Sequence, residues 1–495
     1  MDRCCGVLLP VFSLPSSYGI GTLGKAAYDW IDFLHRAGQR LWQVLPIGPT
    51  SYADSPYQSF SAFAGNPYFI DLEMLCEEGL LCKEDCSDLD VAEYDTKIDY
   101  AKQYRLRYSI LRKAFKHFHA EEQLRAFCAE HEWVHDYALF MAIKDEQQGV
   151  PWTQWPIPLR MRDERALEKK RKELQEKVEY YIFLQMLFFA QWKKLACYAK
   201  ERGVSIVGDI PIYVAMDSAD TWANPGLFQL DEQCQPTAVA GCPPDAFTAD
   251  GQLWGNPLYR WDVMGDDGYQ WWLNRLRASL ELFDAIRIDH FRGFERYYAV
   301  PYGEDTARNG TWVDGPGKAF IAAIKRAFPT GQIIAEDLGF LTQEVKELLS
   351  YSGFPGMKII QFAFDSRETS DYIPFKYPRN CVVYTGTHDN ETMLGWLENV
   401  SSESLRYAKT YLMCEGADKD RCVDLFIALA LSSAANWAVI PMQDWLHLGN
   451  EARINTPATI GENWRWRMSP EVCTGRLAEK MREKAVVYER FSDEK

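Results

Sequence analysis

The stretch DAIRIDHFRG, Asp284–Gly293, begins as a short apolar strand and ends with charged residues. Arg287 and Asp289 stand two positions apart in it. Because successive side chains of a strand point to opposite faces, these two share one face. Burial of an unpaired carboxylate or guanidinium costs several kcal/mol, so the pair needs either a partner or a function.

Eight short β-rich runs of this kind occur along the 495 residues, and most precede a segment with helical periodicity. Several are almost continuously apolar, as parallel strands covered on both faces are. Eight βα units predict an α/β fold, namely a (β/α)8 or TIM barrel with large insertions in its βα connections. The predicted strands are Gly6–Phe12, Leu41–Ile47, Val204–Ile210, Ala285–Asp289, Ile333–Asp337, Lys358–Phe364, Cys381–Thr385 and Ala438–Met442.

Two of the connections are far longer than a barrel needs. We expect residues 1–495 to form a single catalytic barrel, with a mostly helical insertion at 50–178 between the second and third strands. A loop-rich insertion, rich in Pro, Gly and aromatic residues, is expected at 212–267 between the third and fourth strands. Long ordered loops of this kind are usually lids or binding loops.

Composition excludes several classes of partner. The net charge of −16 disfavours nucleic acid and anionic membranes and is more compatible with a neutral substrate. Most of the 17 Trp, 26 Tyr and 26 Phe are expected to fill the core, and the others provide flat faces for planar or pyranose-shaped ligands. The thirteen cysteines are scattered, without zinc-ligand spacing, and favour free thiols in a reducing cytoplasm. The apolar run Tyr180–Ala199 is broken by Gln and Lys, which predicts a buried helix rather than a membrane span. We therefore expect a cytoplasmic protein without a bound metal or other cofactor.

Polar residues recur where the predicted strands end. Asp209 lies at the end of the third strand, Glu336 near the end of the fifth, and His388 with Asp389 just after the seventh. In a barrel these ends converge on the face that carries the active site. Each residue alone is also compatible with a structural role, such as capping, a loop hydrogen bond or, for Arg287 with Asp289, an ion pair. Four such ends on one rim favour a shared site.

Carboxylates of this kind suit glycosidic chemistry. A retaining reaction needs one carboxylate to attack the anomeric carbon and one carboxylic acid to protonate the leaving oxygen, about 5–5.5 Å apart. Asp289, paired with Arg287, fits the nucleophile, and Glu336 in a drier setting fits the acid/base. Asp389 with His388 would bind sugar hydroxyls and stabilise the distorted ring.

Several longer motifs carry a resemblance to a known family. The segments AIRIDHFRGF, IIAEDLG, TGTHDNET and VGDIPIYVAMDSADTW resemble the short motifs of the α-amylase clan as amylomaltases carry them. Amylomaltases are 4-α-glucanotransferases, also called disproportionating enzymes. The resemblance extends through GVLLPVFSLPSSYGIGTLG, RLWQVLPIGPT, SPYQSFSAFAGNPYFID, AGCPPDAFTADGQLWGNPLYRWDVM and INTPATIGENWRWR, and so covers the whole chain.

This resemblance implies a retaining enzyme that moves a segment of an α-1,4-glucan to the 4-hydroxyl of another glucan or of glucose. By motif position, Asp289 matches the family nucleophile, Glu336 the acid/base and Asp389 the transition-state stabiliser. Its substrates would be α-1,4-glucans and maltooligosaccharides, and it would be a monomer or homodimer. The resemblance also implies substrate-binding residues, which are Arg287, His388, Asp209, Tyr57, Ser55, Asp245, Trp254 and Asn463.

Three other functions stay open at this stage. A hydrolase of the same clan would use water as acceptor, although the residues after Asp209 lack the Asn-His pair usual in hydrolytic amylases. A non-catalytic glucan-binding barrel would have no turnover to lose. A metal-dependent hydrolase would need clustered His ligands, whereas His117 and His119 stand in a sequence typical of a helix.

Overall fold

The computed structural model describes residues 2–89, 94–244, 249–339, 341–365 and 370–492. Twelve strands lie in these ranges, and we number them β1 to β12 along the chain. They are Cys4–Leu8, Leu41–Gln43, Ser205–Ile210, Ala238–Cys242, Gln252–Pro257, Ala285–Ile288, Arg296–Pro301, Thr311–Asp314, Gln332–Ala335, Gly356–Ile359, Cys381–Tyr384 and Trp437–Pro441.

Eight of these strands form one parallel sheet in the order β10-β11-β12-β1-β2-β3-β6-β9. The two ends of the sheet meet, because the Ala335 N–H donates to the Pro355 carbonyl at 2.9 Å. The sheet is thus nearly closed into a barrel, and the predicted (β/α)8 fold is confirmed. Each of the eight predicted strands overlaps one barrel strand.

The sixth barrel strand is shorter than its sequence suggested. It ends at Ile359, and Ile360–Phe364 forms a 3₁₀ helix instead of continuing the strand. The run is apolar because it packs outside the barrel, where the Phe364 ring lies 5.6 Å from that of Phe426. A short apolar run does not distinguish a strand from a buried helical turn.

Strand register places polar side chains at one end of the barrel interior. In β3 and β6, Val207 pairs with Ala285 and Asp209 pairs with Arg287. Val207 and Ala285 belong to the apolar cluster that fills the barrel, so alternation directs Asp209 and Arg287 to the same interior side, one layer higher. The carboxyl ends of the strands therefore form the polar mouth of the barrel.

Several of the helices bury one face only. In Lys25–Arg36, for example, Ala27, Trp30, Ile31 and Leu34 are buried at helical spacing. The α-helices of the described residues, numbered α1 to α19 along the chain, are Lys25–Arg36, Leu72–Glu77, Tyr100–Lys102, Tyr108–His117, Glu121–Glu130, Trp133–Glu146, Ile157–Arg160, Glu164–Glu173, Gln175–Glu201, Ala219–Ala223, Trp261–Asp266, Gln270–Leu282, Gly317–Ala327, Gln343–Ser352, Met393–Asn399, Ser402–Tyr411, Lys419–Ser432, Met442–Trp445 and Gly475–Val487.

The apolar run Tyr180–Ala199 lies inside α9, a 27-residue helix that packs against α6. Its buried residues include Phe183, Leu184 and Trp192, so its hydrophobicity serves the protein core. In the described part of the chain, no helix combines the length and the apolarity that crossing a membrane requires.

A second sheet, which the sequence did not indicate, flanks the barrel mouth. It is antiparallel, with the order β5-β4-β7-β8. The strands β4 and β5 come from within 212–267, and β7 and β8 follow β6. This sheet carries Trp254 on β5, a half-buried residue of the segment expected to act as a lid.

Candidate active site

An arginine connects two carboxylates at the barrel mouth. Arg287 on β6 donates through Nη1 to Asp209 Oδ2 at 2.6 Å and through Nη2 to Asp289 Oδ1 at 2.7 Å. The side chains of Arg287 and Asp209 are 4% and 0% exposed, whereas that of Asp289 is 29% exposed. The bond to Asp209 anchors the guanidinium, and the second charge-assisted bond orients Asp289, which stays accessible at the cleft.

Tyr57 joins this cluster from the first insertion. Its hydroxyl donates to Asp209 Oδ2 at 2.8 Å, and its ring stacks on His388 at a centroid distance of 5.2 Å. Trp464 lies against both rings, 5.7 Å from Tyr57 and 5.9 Å from His388. Asp209 Oδ1 is buried without a hydrogen-bond donor among the described residues, and it leaves an acceptor available to a ligand hydroxyl.

Glu336 has a different environment from Asp289. It follows β9, and its oxygens accept the backbone N–H of His290 and of Leu338, both at 2.7 Å. Desolvation, with the charge of Asp289 nearby, raises the pKa of Glu336 to about 7, against the opposing effect of Arg287. A carboxyl group with such a pKa holds a proton at neutral pH for a substantial part of the time.

Asp389 is held by residues from two parts of the chain. His388 Nε2 lies 3.2 Å from its Oδ2, and Asn455 Nδ2 donates to its Oδ1 at 2.6 Å. Arg453 fixes the backbone by donating to the Asp389 carbonyl at 2.6 Å. Burial opposes ionisation of Asp389, but His388 and Asn455 bring its pKa down to about 2. Asp389 is therefore an anion throughout the neutral range.

The segment around Trp254 lies beside the carboxylates. The Trp254 ring meets that of His290 edge to face at 4.8 Å. His290, directly after Asp289, has the left-handed backbone conformation with φ of 54°. This sharp turn accompanies the hydrogen bond from its N–H to Glu336. The Gln58 side chain also binds Asn256 of β5 at 3.2 Å, which links the first insertion to the second sheet.

The remaining predicted site residues lie farther from the acids or outside the described ranges. Ser55 shapes the turn before Tyr57, whose N–H it accepts at 3.3 Å. Asn463 closes the 456–463 loop through bonds to Thr456 and Thr459. Neither residue contacts the three acids in the structure. Asp245 lies outside the described residues.

Asp337, the neighbour of Glu336, has a separate structural role. Its side chain is 4% exposed, and Oδ1 accepts the Met357 N–H at 2.6 Å. This bond ties the end of β9 to β10, where the barrel closes. Glu336, by contrast, accepts the N–H of His290, the residue that follows Asp289.

Sequence reasoning missed three residues around Asp389 and Tyr57. Asn455 and Arg453 hold Asp389, and Trp464 covers Tyr57 and His388. Asn455 and Trp464 lie in the motif INTPATIGENWRWR, but nothing in its pattern indicates which side chains face the site. Because Asn455 is 66 residues from Asp389, only the tertiary fold reveals the contact.

The assembled site can support two-carboxylate chemistry. Asp289 is paired with a permanent cation, while Glu336 accepts only backbone N–H donors in the described structure. Asp289 is thereby suited to act as an anion, and Glu336 is suited to hold and release a proton. Asp209, Tyr57 and His388 supply polar atoms and an aromatic surface around them.

Comparison with known proteins gives consistent matches along the chain. A family model described as 4-alpha-glucanotransferase matches residues 9–473. The 4-alpha-glucanotransferase of Clostridium butyricum is 46% identical in an alignment of 496 positions that covers 97% of this chain and 99% of that protein. The one from Thermus thermophilus is 45% identical over 503 residues, covering 99% and 100% of the two chains. The amylomaltase of Streptococcus agalactiae, solved in complex with acarbose, has a TM-score of 0.96 at 39% identity and covers 99% of this chain and 100% of its own.

Proposed function

The chain belongs to the 4-alpha-glucanotransferase family of enzymes, and on that premise we propose that it transfers segments of an α-1,4-glucan by double displacement through Asp289 and Glu336. The observation that carries the mechanism is the contrast between the two carboxylates. Asp289 is bound to Arg287 at 2.7 Å, whereas Glu336 accepts backbone N–H groups and has a pKa of about 7.

In the first step, an Asp289 carboxylate oxygen attacks the anomeric carbon of the donor. The bond from that carbon to the 4-oxygen of the leaving glucan breaks, and Glu336 gives its proton to that oxygen. The nucleophile and the acid directly follow the adjacent strands β6 and β9. The backbone bond from His290 to Glu336 holds the two groups in a defined relation.

In the second step, the 4-hydroxyl of an acceptor glucan or glucose attacks the same carbon. Glu336, now ionised, takes the proton of that hydroxyl, and Asp289 departs as a carboxylate. Configuration at the anomeric carbon is retained because two displacements occur. We assign the choice of a sugar hydroxyl over water to occupancy of the acceptor side of the cleft, next to Trp254 and His290.

Asp389 stabilises the oxocarbenium-like transition state in this proposal. Its low pKa keeps it anionic while positive charge develops on the sugar ring. Asp209, with its unsatisfied Oδ1, and Tyr57 and His388, with their stacked rings, would bind the sugar at the point of cleavage. Arg287 would position both Asp209 and Asp289 at once.

The decisive test of the function is the product pattern from maltotriose. Transfer yields free glucose together with a ladder of shorter and longer maltooligosaccharides, while the number of reducing ends stays constant. A rise in reducing ends in step with bond cleavage would instead establish hydrolysis. Absence of any product would instead favour a glucan-binding barrel without catalytic activity.

The covalent step has its own test. A glucosyl donor with a fluoride leaving group needs no acid, so Glu336→Gln should still form the intermediate but resolve it slowly. Mass analysis of the digested protein should then find a glucosyl unit on the peptide containing Asp289. Asp289→Asn is the matched control and should carry no such adduct. An adduct on another carboxylate would refute the assignment of the nucleophile.

A further inference from the structure

A polar groove lies on the second sheet, separate from the three acids. It has a volume of about 490 Å³ and is lined by residues of the 229–237 turn, the start of α11 and the strands β7 and β8. Pockets that hold small ligands commonly have volumes of about 300–1,000 Å³. We call it the Tyr297 groove, and its principal lining residues are Gln229, Thr237, Tyr259, Trp261, Asp262 and Tyr297.

The groove presents hydrogen-bonding groups without protein partners. Gln229 donates both of its amide hydrogens, to the Tyr259 carbonyl and to the Tyr297 hydroxyl oxygen, each at 3.0 Å. Because a backbone carbonyl can only accept, this fixes the orientation of the amide. Gln229 Oε1 and the Tyr297 O–H proton then have no partner within the described residues. Tyr297 is only 5% exposed, so its donor is held rigidly beside an acceptor.

An aromatic surface lies next to these groups. Trp261 is half-buried and packs against Tyr259 at 4.9 Å and Trp272 at 6.4 Å, which fixes its ring. Its indole N–H likewise has no acceptor in the described part of the chain. A rigid ring beside a fixed donor and acceptor matches a pyranose, which offers an apolar face and hydroxyl groups around its edge.

The charges around the groove are balanced. Arg260 binds Asp262 at 3.1 Å, and Arg296 binds Asp314 at 2.8 Å. With each carboxylate paired to a guanidinium, the groove has little attraction for a phosphate, an acidic peptide or a cation. A neutral polyhydroxylated ligand fits better than a charged one.

The groove is separated from the cleft by aromatic rings. Tyr259 donates its hydroxyl to the Ile212 carbonyl at 2.9 Å and stacks on Tyr213 at 5.9 Å. Tyr213 in turn lies 6.3 Å from Trp254, which belongs to the cleft. We propose that the Tyr297 groove binds a segment of an α-1,4-glucan outside the catalytic site. This inference rests on the proposed function, since the ligand is the polymer that the enzyme acts on.

Binding can be measured without turnover. Migration of the full-length Glu336→Gln protein through native gels that contain increasing amylose gives a dissociation constant for the polymer. Two further variants are made separately in this Glu336→Gln protein. Tyr297→Phe removes one O–H group from the groove, and Thr237→Trp fills the groove from an exposed position. Each should raise that constant by about threefold or more. Tyr302→Phe is the matched control, because Tyr302 is exposed nearby without lining the groove, and it should leave the constant unchanged.

Calorimetric titration with maltoheptaose provides a second measurement. The Glu336→Gln protein should show two classes of site, and Thr237→Trp should remove one of them while the melting temperature stays the same. Unchanged dissociation constants in both groove variants, or a single class of site in the parent, would overturn the proposal. In the native gels, dextran has α-1,6 linkages. If dextran slowed the protein as much as amylose does, the assignment of the ligand to α-1,4-glucan would be overturned. Failure of the proposed function would appear separately, as absence of maltotriose transfer by the unmodified enzyme.

Discussion

The backbone N–H of His290 donates to Glu336 Oε2 at 2.7 Å. The residue that follows the proposed nucleophile thus holds the proposed acid/base. His290 adopts a left-handed conformation, which non-glycine residues seldom adopt, at this point of the chain. The two reactive carboxylates are therefore linked through one peptide unit rather than positioned independently.

The pH dependence of transfer should follow Glu336. In the proposed mechanism this group must be protonated to release the leaving glucan, and its pKa is raised to about 7. As pH rises through 7, the protonated fraction falls, so kcat/KM for maltotriose should decline about tenfold for each further pH unit. A profile measured from pH 5 to 9 checks this, and a constant rate up to pH 9 would exclude Glu336 as the acid.

Replacement of Arg287 should affect both activity and stability. Arg287→Leu leaves Asp209 buried without its cation, which should cost about 3–5 kcal/mol in the free energy of unfolding. Arg287→Lys keeps the charge but cannot bind both carboxylates as the guanidinium does, and kcat/KM should fall by about 100-fold. Urea unfolding and initial rates give the two quantities. An Arg287→Leu protein within about 1 kcal/mol of the parent would contradict the role of the pair.

Asn455 should act as a positioning residue for Asp389. Asn455→Ala removes the 2.6 Å bond to Asp389 Oδ1, and we expect kcat to fall about tenfold while KM changes little, since the contact supports the transition state. Asn455→Asp would place a second negative charge beside Asp389 and should be more damaging. Asn380→Ala is the control, because Asn380 is exposed and its side chain binds the Gly353 carbonyl, away from the acids. Equal losses in kcat for Asn455→Ala and Asn380→Ala would argue against this role.

The buried Asp444 should make folding stability depend on pH. It is 1% exposed and accepts bonds from Thr385 and Met393, and burial raises its pKa to about 6. The pKa of this carboxyl group is higher in the folded protein than in the unfolded chain. Its contribution to folding stability therefore falls as the pH rises from the unfolded-state pKa to the folded-state pKa of about 6. Asp444→Asn lacks this penalty, so its free energy of unfolding should gain roughly 2 kcal/mol relative to the parent between pH 4 and pH 7.

The measurement is urea unfolding of both proteins at several pH values. A constant difference between the parent and Asp444→Asn over this range would show that Asp444 does not titrate there. Asp371→Asn, at an exposed position, serves as a control for the substitution itself.

Much of the barrel could be predicted from local pattern. Parallel strands buried on both faces have continuous apolar runs, so all eight were recognised, and the polar residues at their ends indicated the mouth. The second sheet was not predicted, because β4 and β5 lie among Pro and Gly residues and each contains a glycine. Its strands are stabilised by pairing with β7, more than 50 residues along the chain, which no local pattern reveals.

The sequence by itself indicated the fold class and the acidic residues at the strand ends, since strand alternation and apolar burial are local properties of the chain. Only the tertiary structure decided the state of each acid. The nearest cation, the hydrogen-bond donors and the degree of burial set a pKa, and these come from distant residues. Asn455 on Asp389, Leu338 and His290 on Glu336, and Arg287 between Asp209 and Asp289 are contacts made by folding.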